Sequence, residues 1–163
     1  VLEVRGEVFM DNATFQKINA AIDNPEERFA NPRNFTAGTL KQLDPSIAAK
    51  RNLRFVAHGL GEVVGLALSS YFDSMQLVRS LGIPLPEQTT RVEGVDAAWD
   101  FIQRFAAIRG TLDYATDGMV VKLDSIAQRE ELGVTSKAPR WAIAFKYPAE
   151  QVQTSLLAVT WQV

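Results

Sequence analysis

The stretch Trp141-Ala-Ile-Ala-Phe-Lys-Tyr147 decides the fold class. Side chains along a strand alternate between its two faces with a period of 2. Trp141, Ile143, Phe145 and Tyr147 then share one face, and Ala142, Ala144 and Lys146 share the other. Four large apolar groups mark a core-facing side. Two methyl groups and one ammonium leave room on the opposite side for something flat, next to a point charge suited to phosphate. Asp117-Gly-Met-Val-Val-Lys-Leu123 repeats the arrangement, with Met119, Val121 and Leu123 on one face and Val120 and Lys122 on the other. A lysine guarding an edge strand leaves the same trace, and these residues alone keep both readings open.

Upstream, Val1 to Phe9 is a third strand. Glu3, Arg5 and Glu7 alternate with apolar positions, and Gly6 leaves a gap on the opposite face. Leu53 to Gly59 is a fourth, on which His58 shares a face with Val56 and Arg54. Leu156 to Val163 reads as a last strand. Between the strands lie helical stretches. One is capped by Asn12 or Thr14 and carries Phe15, Ile18 and Ile22 on one side. Two short ones span Thr36 to Leu43 and Pro45 to Arg51, the latter capped by Asp44. Tyr71 to Leu81 is stopped by Gly82, Asp96 to Ile108 carries Trp99, Ile102 and Phe105 at helical spacing, and Ser125 to Leu132 is ended by Gly133. Asn24 to Asn34 reads as a polar loop, either offering Arg33 to a phosphate or forming a capped turn with solvated bases. Lys41 follows, and Thr36, Gly38 and Thr39 are further donors. Antiparallel sheets flanked by helices, an α+β class, is the most economical architecture.

Composition bounds the chemistry. The 163 residues are enough for one domain with a real core. There are 0 cysteines and 1 histidine, so thiolate chemistry and a histidine-based zinc site are excluded, and a reducing compartment fits. No apolar run reaches the roughly 18 residues of a membrane helix. The net charge of -2 excludes a uniformly basic surface. Yet Asn31 to Arg54 holds five bases against one acid, and Thr135 to Lys146 holds three bases and no acid. Two basic islands in an acidic chain suit a localised anion site. No P-loop, dinucleotide glycine fingerprint or nucleophile elbow occurs.

Five segments together resemble the adenylation (nucleotidyltransferase) domain of bacterial NAD-dependent DNA ligases. They are Leu2-Glu-Val-Arg-Gly-Glu-Val8, Phe29-Ala-Asn-Pro-Arg-Asn34, Ala37-Gly-Thr-Leu-Lys-Gln-Leu-Asp-Pro45, Asp117-Gly-Met-Val-Val-Lys122 and Leu132 to Pro148. Their order and spacing match over nearly the whole chain. The resemblance implies a nucleotidyltransferase (DNA ligase/ATP-grasp-like) fold, incomplete here. It also implies a cytoplasmic enzyme that seals nicked double-stranded DNA through enzyme-AMP and DNA-adenylate intermediates, with NAD as AMP donor. By the same resemblance Lys122 and Lys146 flank the adenylate phosphate, and Glu7 meets the ribose. His58 stands where an aromatic, typically tyrosine, stacks on adenine. Arg109 serves the nicotinamide-mononucleotide or phosphate side, Arg33 is catalytic together with Lys122 and Lys146, and Arg33 and Lys41 contact DNA or phosphate. Lys41 replaces the family's usual arginine, which keeps charge and loses the bidentate fork.

The family's nucleophilic Lys-x-Asp-Gly motif does not occur in this chain. Residues 1–163 are therefore expected to be the distal part of the adenylation domain, inactive alone, with 151–163 approaching an absent oligonucleotide-binding domain. Mg2+ belongs to the parent enzyme, which is expected to be monomeric, and zinc to an absent downstream module. The expectation is spatial: Lys122, Lys146 and Glu7 converge on one adenylate-shaped cavity. The alternative is a non-catalytic nucleotide- or DNA-binding module.

Overall fold

The computed structural model describes residues 1–148, 151 and 153–161. Strand β1 (Leu2–Phe9) turns Glu3, Arg5 and Glu7 to solvent and its alternate residues inward, as the sequence pattern predicts. It pairs antiparallel with β2 (Arg54–Val63), which runs four residues beyond the predicted end at Gly59. Arg5 lies opposite Gly59 and Gly6 opposite Ala57, so His58 is the extra residue of a β-bulge. The bulge resets the alternation. Ala57 and Leu60, three positions apart, both join the core formed with Met75, Val78, Leu85, Val4, Tyr71 and Ile83. The gap predicted at Gly6 is filled: the Phe55 ring and the Val56 carbonyl stand where a Cβ would project. Glycine is needed there for close approach.

Helix α1 (Asn12–Ala20) is capped by Asp11, ahead of both predicted candidates, Asn12 and Thr14. Its carboxylate accepts from Thr14 N at 2.7 Å and Thr14 Oγ1 at 2.9 Å. Helix α2 (Pro32–Leu40) begins inside the stretch predicted as loop. Asn31 accepts from Asn34 N at 2.8 Å, and Pro32 occupies the first helical position, where its missing N–H costs nothing. Phe35, buried on α2, meets Phe15 and Phe29 edge to face. Helix α3 (Pro45–Lys50) has the predicted Asp44 cap.

Helix α4 (Tyr71–Ser80) is capped by Ser70, and Gly82 lies beyond it at φ +85°. Helix α5 (Gly94–Ile108) buries Ile102 and Phe105. Strands β3 (Gly118–Lys122) and β4 (Ala142–Lys146) pair in the register Gly118–Lys146, Val120–Ala144, Lys122–Ala142. Helix α6 (Ile126–Leu132), capped by Ser125, is ended by Gly133 at φ +66°. The described residues thus form two small antiparallel sheets with six α-helices, an α+β architecture.

Two further expectations fail. Phe145 packs on Trp99 of α5, and Tyr147 on Phe105, but Ile143 is 71% exposed and its cross-strand partner Val121 is 39% exposed. Helix α5 covers only the Phe145 end of that face. Residues 156–161 form no strand, and Leu157 and Trp161 stand in solvent. A strand needs a partner for its N–H and C=O groups, and these residues have none among the described ones. Residues 162 and 163 of the expected strand lie outside the described residues.

The two sheets meet at the N-terminus of α4. Tyr71 N donates to Asp124 O at 2.9 Å and Ile126 N to Ser69 O at 2.9 Å. The Asp124 carboxylate accepts from Phe72 N at 2.7 Å and from Ser70 Oγ at 3.0 Å.

Candidate functional site

The candidate residues are carried by three strands. On β1, Glu7 lies opposite Val56 and faces solvent. His58 sits two positions along β2 from that partner. The bulge leaves the His58 ring exposed and turns its carbonyl oxygen towards β3. Lys122 Nζ donates to that oxygen at 2.6 Å and to Tyr71 Oη at 2.9 Å. The Tyr71 hydroxyl itself donates to the His58 carbonyl. An ammonium has three donors, so one N–H of Lys122 has no protein partner among the described residues. β2 thus ties Lys122 to the main chain at His58, while Glu7 pairs with Val56 on the other side of the sheet ladder and makes no hydrogen bond to either among the described residues.

Lys122 is half-buried at the seam between the sheets. Burial disfavours its charge, and Arg129 adds a second cation, so its pKa falls to about 8. Burial pushes the Tyr71 hydroxyl up, against the opposing pull of Arg129. Arg129 is buried. Its guanidinium lies 4.0 Å from the Tyr71 ring centroid and 4.3 Å from that of Trp141. Nε donates to the Leu123 carbonyl, and Nη2 is buried with no partner among the described residues.

Lys146 faces solvent at the far end of the same sheet face. It pairs with Gly118, and the Phe145 carbonyl takes the space a Cβ at 118 would need. Four residues separate the Lys122 and Lys146 rows, about 13 Å at about 3.3 Å per residue. Val120 and Ala144 lie between them, both exposed. The face is therefore a shallow apolar strip with an ammonium at each end. Two cavities, of about 140 and 420 Å³, lie beside α4 and Arg91, and neither is lined by Glu7, Lys122 or Lys146.

The other sequence candidates stand apart from this seam. Arg33 is exposed in the first turn of α2, on a helix and not in a loop, and Lys41 is exposed at that helix's end. The Thr39 hydroxyl, expected to be available, donates to Phe35 O at 2.8 Å and accepts from Arg51 at 2.8 Å, while Thr36 is buried. Arg109 lies over the Tyr147 ring at 4.8 Å. Tyr71 and Arg129 were missed by sequence reasoning. Their helical spacing marks Tyr71 as core, and no local pattern announces a stacked arginine. Among the described residues, no three His, Cys, Asp or Glu side chains cluster as a metal would need, and no helix is long and apolar enough to cross a membrane.

Comparison with known proteins gives consistent results. A family profile described as NAD-dependent DNA ligase adenylation domain matches residues 1–150. The chain is 48% identical over 164 residues to a DNA ligase of Akkermansia muciniphila, covering 100% of this chain and 21% of that protein. It is 46% identical over 156 residues to a DNA ligase of Shouchella clausii, with 95% and 23% covered. It is 43% identical over 163 residues to a DNA ligase of Halalkalibacterium halodurans, with 99% and 24% covered. The chain spans less than a quarter of the length of these relatives.

Proposed function

The chain belongs to the NAD-dependent DNA ligase adenylation-domain family, and from this premise we propose that it supplies the adenylate-binding face of an enzyme that seals nicks in double-stranded DNA. The fold in this reading is the nucleotidyltransferase fold. NAD supplies the AMP group of the reaction.

The single observation that carries the reading is the seat of Lys122. An ammonium held by a main-chain oxygen and a phenol, with one donor to spare, is fixed in place before any ligand arrives. Phosphoryl-transfer sites work by such positioning and by electrostatic stabilisation. The residues present fit a nucleotide by their chemistry. The strip of Val120 and Ala144 accepts a flat apolar group. Lys122 and Lys146 bracket it with charge for phosphate, Glu7 offers a carboxylate to sugar hydroxyls, and the exposed His58 ring offers a stacking surface smaller than tyrosine. Arg109 is assigned to the nicotinamide-mononucleotide side. Arg33 and Lys41, in the basic stretch around α2, are assigned to DNA phosphates.

Titration of the chain with AMP, followed by amide NMR shifts, tests this. Shifts are expected on β2, β3 and β4. Lys122→Ala should weaken AMP binding by about 10–100-fold, the worth of one charge-assisted hydrogen bond. Equal binding by the variant removes Lys122 from the site. DNA binding without AMP binding would instead identify a nucleic-acid module.

A further inference from the structure

We infer that Arg129 is the positioning residue for Lys122: it clamps the Tyr71 ring whose hydroxyl holds the ammonium. A buried guanidinium is costly unless paired, and none of the ion pairs among the described residues includes Arg129. Its surroundings are aromatic. The Tyr71 and Trp141 rings lie 4.0 and 4.3 Å from its Cζ. Nε is tied to the carbonyl of Leu123, the residue after Lys122. Trp141 precedes β4 and Tyr71 opens α4, so Arg129 locks together the two elements that flank Lys122. The ammonium lies 4.9 Å over the same Tyr71 ring. A planar, permanently charged group suits this clamp, and lysine would not.

The elements packed around Lys122 bring few charges to it. β2 presents the His58 carbonyl, with the ring exposed. α4 presents Tyr71 and α6 presents Arg129. Beyond β3, the Asp124 carboxylate is engaged by Ser70 and Phe72, with Arg91 at 3.6 Å. β4 presents uncharged Ala142. Arg129 is thus the cation that opposes Lys122, and the tendency of Lys122 to lose its proton agrees with the clamp. The inference rests on the nucleotide-site reading only for why the ammonium matters. Its test uses no nucleotide, so either can fail alone.

The chain has six lysines, so side-chain NMR of the Lys ε-methylenes across a pH series resolves Lys122. Arg129→Gln keeps a polar planar group and drops the charge. The Lys122 midpoint is expected to rise by roughly half a unit or more. Arg129→Lys keeps the charge and drops the plane. The midpoint should stay low while the two Lys122 ε-protons merge into one signal, because the Tyr71 hydroxyl no longer holds the ammonium. Merged Lys122 ε-proton signals in either variant, with a dispersed amide spectrum, support the clamp, because charge removal alone shifts the midpoint but does not free the ammonium. Two distinct ε-proton signals retained in whichever variant folds overturn it, whatever the midpoint does.

Discussion

Lys122 couples the site to stability. Its ammonium is held near 8 in the folded chain and near 10.5 when free. Between those values the unfolded chain binds more protons, so stability rises with pH across that window. The rise ends where Tyr71, whose pKa is raised above 10.0, begins to act in the opposite sense. Urea unfolding of the parent chain, referenced to Lys122→Met, should gain about 1 kcal/mol between pH 7.5 and 9.5 after solvent screening. A flat difference would mean that the ammonium is fully hydrated. The sequence makes the position of Lys122 legible through strand alternation. It does not make Tyr71 or Arg129 legible, because both reach Lys122 only through the packing of α4 and α6 on β3.

At the scale of elements, the joint between the strand pairs is Asp124. It follows β3 and accepts from the backbone of Phe72 in the first turn of α4 at 2.7 Å and from the Ser70 hydroxyl. Asp124→Ala should cost about 1–2 kcal/mol in urea unfolding, the worth of a lost helix cap. It should also move the amide shifts of Tyr71 and Lys122, which a change confined to α4 would not. Elements with their own punctuation were legible: Asp44 before Pro45, Gly82 after α4 and Gly133 after α6. Helix α2 was half hidden, because Pro32 reads as a loop residue until Asn31 is recognised as its cap. The bulge was illegible. One extra residue in β2 shows only when the partner strand fixes the register.

At the scale of the molecule, charge separates two surfaces. Lys122 sits at the seam of the two sheets and Lys146 at the far end of the β3–β4 face, while Arg33 and Lys41 are exposed on and at the end of α2. If the α2 surface contacts nucleic-acid phosphate, binding of the chain to nicked duplex should weaken linearly with log salt. Removing Arg33 or Lys41 should each lower the slope by about 1. Fluorescence anisotropy at several salt concentrations reads this, and slopes equal to the parent's would place the DNA elsewhere.

The oxygen that seats Lys122 belongs to the main chain at position 58, not to the imidazole. Whatever side chain stands there owes nothing to the ammonium. In the proposed adenylate site, swapping the ring for phenol, indole or an aliphatic group would change contact with a flat ligand and leave the lysine's perch untouched. In that reading, grip on the base and placement of charge are uncoupled and can be adjusted one at a time.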